Sequence, residues 1–272
     1  MGREISEYIR CQFCHVETRH IVGNFRRCPR CTNLYNGDYR TTVYEDTYFE
    51  SEYKNQYGKS YIGDKANIQK KMRSRLEILK TCAGSFQGKN LLEVGSAAGF
   101  FLELANGAGL KSQGWELSAY MCDYANKHGL TTRQGNLLEL LDKAPSNSFD
   151  MIAAFYVIEH FTEQKKIWEG FSRLLKNGGV LALALPSFYG PAYHFHRSDW
   201  VRTHPRDHFL DYSPGGIKKV CKVFGLKILH ISPEGLHPER FFLGNLPFLK
   251  NVYTTIQKTC KFSDTMFVVL QK

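Results

Sequence analysis

Four cysteines near the start of the chain have the spacing of metal ligands. Cys11 and Cys14 form one Cys-x2-Cys pair, and Cys28 and Cys31 form a second pair after 13 intervening residues. Each pair can wrap two thiolates around one tetrahedral ion, and four thiolates leave no coordination position open for a substrate. We therefore predict a structural zinc site on which this small module depends for folding. A redox dithiol and a rubredoxin-like iron site are the alternatives, although a redox motif normally has one such pair beside a βαβ unit.

A glycine-rich turn follows a short apolar run at residues 90–94 and begins at Gly95. Glycines at a strand-to-helix turn let a ligand approach the backbone, and the following helix offers free amides to a carboxylate or phosphate. Glu116 ends the next apolar run, 21 residues beyond Gly95, where a carboxylate can accept hydrogen bonds from both ribose hydroxyls. A dinucleotide fold requires Gly-x-Gly-x-x-Gly, but Ala97 and Phe100 occupy the second and third glycine positions. The turn therefore predicts a nucleoside cofactor other than NAD.

Histidines that follow two later strands offer general bases. His160 comes after the apolar run at 149–155, and open α/β sheets place their sites at the carboxyl edge of their strands. The long loop after the next strand carries several histidines, and His204, Asp207 and His208 are further candidates for the base. A helix-capping or packing role is the alternative for His160. A metal site in this loop is disfavoured, because the histidine spacing matches no tight zinc or iron pattern.

From residue 89 onward, short apolar runs alternate with amphipathic stretches, which predicts a parallel sheet with helices on both faces. The predicted strands are 90–94, 112–116, 130–134, 149–155, 179–185, 226–232 and 265–271. The predicted helices are 99–107, 118–128, 162–176 and 213–224. An earlier helix is expected to be capped by Asp64 and to end near Gly84, with Ile68, Met72, Leu76 and Leu79 on its apolar face. The fold class is therefore α/β, with a seven-stranded, mostly parallel, doubly wound sheet whose last two strands form an antiparallel pair.

Three parts are predicted along the chain: a zinc-binding module at 1–34, a tyrosine-rich connector and helix at 35–88, and a catalytic domain at 89–272. The connector either packs the module on the catalytic domain or forms an aromatic flap over the site, and its aromatic residues are Tyr35, Tyr39, Tyr44, Tyr48, Phe49, Tyr53, Tyr57 and Tyr61. An apolar insertion is expected near 233–264, as a lid, a dimer contact, a membrane-touching surface or buried packing. Its apolar residues are Phe241, Phe242, Leu243, Leu246, Pro247, Phe248 and Leu249.

The turn and the segments after it resemble, in order, the class I S-adenosylmethionine-dependent methyltransferases over residues 88–232. The first motif of that family is an acidic residue, any residue, and then glycines at spacing two. Residues 93–99 match this motif, except that Ala97 stands in place of the middle glycine. The resemblance implies S-adenosylmethionine as cofactor, with Asn136 standing where the family often has an Asp that contacts the adenine amino group. The cofactor contacts expected from it are Glu93, Gly95, Ser96, Ala97, Gly99, Phe100, Glu116, Leu117, Asn136, Leu137 and Phe155.

The net charge of +10 and the pI near 9.1 favour an anionic partner, although a well-solvated surface is the alternative reading. Part of this charge lies on the helix after Asp64, in Lys65, Lys70, Lys71, Arg73, Arg75 and Lys80. Neither a secretory signal nor an apolar run of membrane-spanning length occurs in the sequence. A cytoplasmic enzyme without a transmembrane segment is therefore expected.

The layout resembles bacterial methyltransferases of sugar, surface-polysaccharide or secondary-metabolite pathways, some of which also begin with a four-cysteine zinc module. The leading hypothesis is therefore O-methylation of a small-molecule or glycan-linked hydroxyl. The positive net charge favours a small or saccharide substrate that carries an anionic group. RNA methylation is the second, because the zinc module and the charge suit nucleic acid. Against it, residues 154–157 lack the Asn/Asp-Pro-Pro-aromatic turn that holds the exocyclic amine of a base. The third is a non-catalytic cofactor-binding scaffold whose zinc module docks a partner protein.

Overall fold

The computed structural model describes residues 9–41, 53–54, 58–235, 237, 240–241 and 246–272. The strands are β1 Arg19–Val22, β2 Phe25–Arg27, β3 Leu34–Asn36, β4 Asn90–Val94, β5 Lys111–Glu116, β6 Thr132–Gln134, β7 Phe149–Phe155, β8 Leu175–Pro186, β9 Leu210–Asp211, β10 Lys227–Glu234 and β11 Thr265–Gln271. The helices are α1 Lys65–Ala83, α2 Phe100–Gly107, α3 Ala119–Lys127, α4 Leu137–Lys143, α5 Gln164–Leu174, α6 Pro191–Phe195, α7 Arg197–Thr203, α8 Pro214–Val223 and α9 Pro247–Cys260. Short 3₁₀ turns lie at Ile62–Asp64 and Ile158–His160.

Seven strands form one sheet in the order β10-β11-β8-β7-β4-β5-β6. Strand β4 is parallel to both β5 and β7, and β5 is parallel to β6, as the alternation of apolar runs and helices requires. The predicted α/β fold with a mostly parallel seven-stranded sheet is therefore confirmed. Strands β4, β7 and β11 also have the predicted bounds, whereas β8 begins at Leu175, earlier than predicted.

A second sheet of four short strands has the order β1-β2-β3-β9. Strands β1, β2 and β3 follow one another near the cysteines, but β9 comes from residues 210–211 and pairs antiparallel with β3 through Leu34 and Asp211. The prediction of a plain loop before Ser213 was therefore wrong, because that segment contains α6, α7 and β9.

The chain divides into two compact units. The first comprises 1–41, 156–165 and 183–270, and the second comprises 42–155, 166–182 and 271–272. In the first unit, an aromatic core of Phe25, Leu34, Phe188 and Tyr193 packs against Trp200. In the second, β4 and β7 are almost completely buried, as strands covered on both faces must be.

Helix α1 forms where it is predicted and ends at Gly84, which has a φ of 72°. Asp64 stands before it, but the predicted cap is wrong because its side chain makes no capping hydrogen bond. Its carboxylate accepts instead from the Tyr53 hydroxyl at 2.8 Å and from the side-chain amide of Asn67 at 2.6 Å. Arg75 also departs from expectation, since it is buried with its guanidinium 4.7 Å from the centroid of the Phe155 ring. It therefore does not belong to an exposed basic face.

Helix α9 lies within the predicted apolar insertion and leaves several large apolar side chains in solvent. Leu246, Phe248, Val252 and Ile256 are all exposed, so complete burial does not describe this segment. The predictions made for Phe242 and Leu243 fall outside the described residues, as do those for Tyr44, Tyr48, Phe49 and Tyr57 of the connector. In the part of the chain that the structure describes, no helix has the length and apolar character needed to cross a bilayer.

Candidate functional site

The glycine-rich turn between β4 and α2 is built from residues with positive φ. Gly95, Ala97 and Gly99 have φ values of 69°, 43° and 76°. A left-handed conformation costs an L-residue about 1–2 kcal/mol, which explains why a glycine is typical at the place that Ala97 occupies. Gly99 is required for a further reason, since a Cβ there would lie 2.5 Å from Cδ1 of Leu130. The turn therefore brings bare backbone to the carboxyl end of β4.

Glu116 is fixed at the end of β5 by the backbone of this turn. The amide of Ala97 donates to Oε2 at 2.7 Å, and the amide of Ser118 donates to Oε1 at 2.9 Å. Burial raises the pKa of Glu116, and these amides oppose that effect. Each carboxylate oxygen keeps a further lone pair, so the group is oriented and can still accept hydrogen bonds from a ligand.

Two polar side chains beside the turn have buried atoms without a hydrogen-bond partner in the described structure. These atoms are Oε2 of Glu93 and Oγ of Ser96. Burial and the charge of Glu116 hold the pKa of Glu93 well above its ordinary value, against the opposing charge of Arg75. Buried polar groups in native proteins are nearly always satisfied, so these atoms are suited to a polar ligand. Together with Glu116 and the open turn, they fit the carboxylate, amine and ribose of S-adenosylmethionine.

The other predicted cofactor contacts have diverse surroundings. Asn136 caps α4, because its Oδ1 accepts from the Leu138 amide at 2.9 Å, while Leu137 is buried. Phe100 is buried and stacks on Tyr61 with ring centroids 5.4 Å apart. Phe155 packs edge-on against Phe101 at 5.0 Å, and Leu117 is exposed. These cofactor contacts remain predictions.

The four cysteines of the first unit converge, with their sulfur atoms all within 4.8 Å of one another. The amide of Cys31 donates to the Sγ of Cys28 at 3.4 Å, and the Tyr35 hydroxyl donates to the Sγ of Cys11 at 3.2 Å. Burial and the charge of Cys11 raise the pKa of Cys14 to about 11 and so disfavour its free thiolate, whereas hydrogen bonds with Cys31 and Tyr35 lower the pKa of Cys11 to about 5. A cation would remove that penalty, and the four sulfurs fit one tetrahedral ion.

His160 is held by two neighbouring segments. Its Nδ1 lies 3.1 Å from the carbonyl oxygen of Asp207 and 3.3 Å from the carboxylate oxygen Oδ2 of the same residue. Tyr39 donates its hydroxyl to the carbonyl of His160 at 2.7 Å. Two acceptors at Nδ1 favour the tautomer protonated there, which makes Nε2 the basic nitrogen. Burial lowers the pKa of His160, but the bond to Asp207 and the Glu159 charge together raise it above the ordinary value.

His204 and His208 lie in the same neighbourhood, within the first unit. The ring of His208 is 4.8 Å from that of His160 and 5.3 Å from that of His204, centroid to centroid. Burial and the charge of His160 lower the pKa of His208 to about 4, so its imidazole is neutral at physiological pH. Burial also raises the pKa of Glu159 to about 7. The fold therefore brings together the three histidines that the sequence singled out.

Glu159 and Asp211 are members of this cluster that the sequence reasoning missed. Glu159 directly precedes His160, and Asp211 follows His208 by three residues, so their proximity in the chain was the available signal. Their importance became visible only through burial, because each side chain is shielded from solvent beside a histidine.

Comparison with known proteins finds a family match in the middle of the chain. Residues 92–183 match the protein family described as "Methyltransferase domain". A ubiquinone biosynthesis O-methyltransferase from Bordetella avium is 27% identical over 110 residues, which make up 39% of this chain and 46% of that protein. The match thus spans about half the length of this curated relative.

Solved structures share the fold at low sequence identity. A SAM-dependent methyltransferase from Archaeoglobus fulgidus superposes with a TM-score of 0.59 at 14% identity, over 82% of this chain and 99% of that chain. A SAM-dependent methyltransferase from Thermotoga maritima, described as a possible histamine N-methyltransferase, has a TM-score of 0.54 at 14% identity, over 83% and 99%. The matched family and the shared fold agree with the geometry of the turn and Glu116. Residues 92–183 are therefore similar to a methyltransferase domain, within a fold that known S-adenosylmethionine-dependent methyltransferases share.

Proposed function

We propose that the protein transfers a methyl group from S-adenosylmethionine to a hydroxyl oxygen of a small-molecule or glycan-linked acceptor. The observation that carries this proposal is the buried carboxylate of Glu116, which two backbone amides orient beside the left-handed turn at 95–99. The Bordetella avium relative is named as an O-methyltransferase, which supports oxygen as the acceptor atom. The positive charge of the chain supports an acceptor that carries an anionic group.

Residues of the second unit would hold the cofactor. Glu116 would accept hydrogen bonds from the ribose hydroxyls, and the amides at the start of α2 would meet the amino-acid carboxylate. Glu93 and Ser96 offer the unsatisfied atoms described above. Asn136 would lie beside the adenine, where its side chain can bind a ring substituent. When bound, the sulfonium supplies an electrophilic methyl carbon, so the protein need only align an acceptor and manage its proton.

His160 is the residue proposed to take that proton. It follows the end of β7 by five residues, and the two Asp207 oxygens at Nδ1 orient the ring so that Nε2 can accept. His204 and His208 were further candidates for the base in the sequence, after His160. The side chain of His204 is only 5% exposed, and that of His160 is 21% exposed, so His160 is better placed to meet a substrate. Asp207 is then a positioning residue for the base.

The cysteine cluster is proposed to bind one structural zinc ion. Four sulfur ligands complete a tetrahedral shell, so this ion would have no position at which to activate an acceptor. Its proposed role is to hold β1, β2 and β3, since these short strands have little core of their own.

Calorimetry of the full-length protein with S-adenosylhomocysteine tests the cofactor assignment, and one binding site per chain is expected. A panel of phenolic, sugar and RNA acceptors with methyl-labelled cofactor then tests the substrate class. Label in a hydroxyl compound, stable to conditions that cleave esters, supports the proposal. Lack of S-adenosylhomocysteine binding by folded protein would refute it.

RNA methylation and a non-catalytic scaffold are separate outcomes of the same panel. Label in RNA, with retention that falls steeply as salt rises, would replace the small acceptor by a nucleic acid. Tight cofactor binding without label transfer to any class of acceptor would favour the scaffold.

A further inference from the structure

Three residues of one short segment form a buried group that lies apart from the cysteine cluster. His204 follows α7, His208 lies in the next turn, and Asp211 is the second residue of β9. Each offers a nitrogen or oxygen atom, and the three atoms lie within 4.8 Å of one another. We propose that His204, His208 and Asp211 bind a divalent first-row transition-metal ion, at a second site distinct from the four cysteines.

The first support comes from buried polar atoms that have no hydrogen-bond partner in the described structure, although Nε2 of His204 lies at ion-pair distance from Oδ2 of Asp211. Nε2 of His204, Nδ1 of His208 and Oδ2 of Asp211 are all buried and make no hydrogen bond. The side chains of His204 and Asp211 are 5% and 2% exposed, so bulk water does not satisfy them. Buried polar atoms in native proteins are nearly always satisfied, and three that converge from three residues indicate a missing ligand.

The geometry of the group is already close to that of a coordination shell. Nε2 of His204 lies 3.0 Å from Oδ2 of Asp211, in an arrangement that is not a hydrogen bond. Metal bonds of about 2.0–2.2 Å bring neighbouring ligand atoms to roughly this separation. Two imidazoles and one carboxylate are the donors that select zinc, iron, manganese or cobalt over calcium and magnesium.

Charge balance supports a cation at this place. Glu159 is completely buried, and both its oxygens lack a hydrogen-bond partner. One of its oxygens lies within 4.8 Å of a ring nitrogen of His160 and of His208, and His208 also belongs to the proposed site. Among the described residues, no lysine or arginine forms an ion pair with Glu159 or Asp211. A divalent ion would neutralise both carboxylates, with Glu159 close enough to act as a further ligand or as an acceptor for a metal-bound water.

The backbone around the three residues is held in place from outside the segment. The carbonyl of His208 accepts from the Asn36 side chain at 3.1 Å, and the amide of Phe209 donates to the carbonyl of Glu159 at 2.7 Å. Asp211 is paired with Leu34 in the small sheet. A site whose ligands are positioned before binding loses less entropy when the ion enters. An ion here would in turn fix the segment that carries Asp207.

Cobalt(II) titration of the full-length protein, monitored by absorbance and by metal analysis after gel filtration, tests this site without any methyl acceptor. Two cobalt ions per chain are expected: one with intense thiolate charge-transfer absorption, and one with only weak absorption from nitrogen and oxygen ligands. The His204→Gln/His208→Gln double variant and Asp211→Asn should each lose the weakly absorbing ion and keep the thiolate band. His196→Gln changes an exposed histidine of the same region and should retain both ions.

Saturation of the wild type at one ion, or two ions in the double variant, would overturn the proposal. If a variant loses the thiolate band, its cysteine module has not folded, and the test then depends on the wild-type protein alone. Its second cobalt ion should shift the ring-proton NMR signals of two histidines far outside the normal range, and the absence of such shifts overturns the site. Because stoichiometry and NMR need neither cofactor nor acceptor, this result is independent of the proposed methyl transfer.

Discussion

The turn at 95–99 and the histidine segment at 204–211 are both short, but they are determined in different ways. The turn depends on its own sequence, since Gly95 and Gly99 adopt positive φ values and the neighbouring strand supplies Glu116. The histidine segment depends on distant residues, because Asn36 and the pairing of β3 with β9 hold its backbone.

This difference separates what a local motif can specify from what a fold must assemble. The geometry of a glycine-rich turn between a strand and a helix is set by its own glycine spacing, so that spacing predicts the class of ligand. A cluster of histidines acquires meaning only when tertiary contacts decide which nitrogen faces which carboxylate. We expect perturbations of the cysteine module to reach the histidine segment and to leave the turn unchanged.

The largest effect is expected from removing the zinc ion proposed for the cysteine cluster, by a chelator or by Cys28→Ser. Metal binding contributes about 10–16 kcal/mol to folding in small zinc modules, so β2, β3 and β9 should lose their protection against amide exchange. We expect their exchange to accelerate about 10³-fold or more, while amides of β4 and β5 stay protected. Hydrogen-exchange mass spectrometry measures both regions in one sample.

Cys260→Ser is the matched control, because Cys260 is an exposed cysteine outside the cluster. It should leave the exchange of all these strands unchanged. Equal acceleration in β4 and β9 would show that the two regions unfold together, and the contrast between them would then be lost.

Most of the large sheet could be predicted from the sequence because its strands are short apolar runs separated by glycines and helices. The bounds of β4 and β7 follow directly from such runs. Strand β9 could not be predicted, since two residues have no period and pair with β3 across more than 170 positions in the chain. The cap at Asp64 failed for a similar reason: Tyr53 and Asn67 compete for its carboxylate.

The residues of the candidate site also differ in whether the local sequence could predict them. Glu116 could be located because its distance from Gly95 reflects one strand-helix-strand unit. Asp211 could not, because its burial against His204 depends on the pairing of β9. Arg75 shows the limit of charge patterns, since a basic residue on an amphipathic helix packs on the Phe155 ring.

Replacement of the proposed base should give the next largest effect. His160→Gln removes the basic nitrogen and should lower kcat by about 10²–10⁴-fold, the usual contribution of general base catalysis. Binding of S-adenosylhomocysteine should change less than about twofold, because the cofactor contacts are proposed elsewhere. Steady-state kinetics with an acceptor from the panel, alongside calorimetry, measures the two quantities.

His128→Gln serves as the control for this substitution, because His128 is an exposed histidine at the end of α3. Normal turnover is expected from it. If His160→Gln also shows normal turnover, His160 has a packing role and is not the base. The contrast between the turn and the histidine segment would then lose its catalytic side.

A smaller effect is expected at the turn itself. Glu116→Gln keeps the size of the side chain but loses the charge, so hydrogen bonds to the ribose weaken by about 1.5–3 kcal/mol and affinity for S-adenosylhomocysteine falls roughly 10–100-fold. Calorimetry measures this change, and Glu77→Gln on the exposed side of α1 is the control with the same chemistry. Unaltered affinity in Glu116→Gln would remove the carboxylate from the cofactor site.

The smallest effect should come from Asp150, a carboxylate at the opposite, amino end of the same sheet. It accepts from the Asn90 amide at 2.9 Å and from Lys176 at 2.8 Å. Burial raises the pKa of Asp150, but these two bonds lower it by more, so the pKa lies below its ordinary value. Such a group stabilises the fold above its unfolded pKa of about 3.9, and this contribution disappears as the pH falls through the lower folded value.

Asp150→Asn should therefore reduce the free energy of unfolding by about 1 kcal/mol at pH 7, and by progressively less below about pH 4. Urea unfolding at several pH values measures the difference, and S-adenosylhomocysteine affinity should stay unchanged. Glu116→Gln should differ by lowering affinity, and it should also lose stability, because its NH2 group would face a backbone amide that now donates to the carboxylate. A loss of affinity in Asp150→Asn equal to that in Glu116→Gln would mean that the turn responds to the whole sheet, and that its local character is not what determines binding.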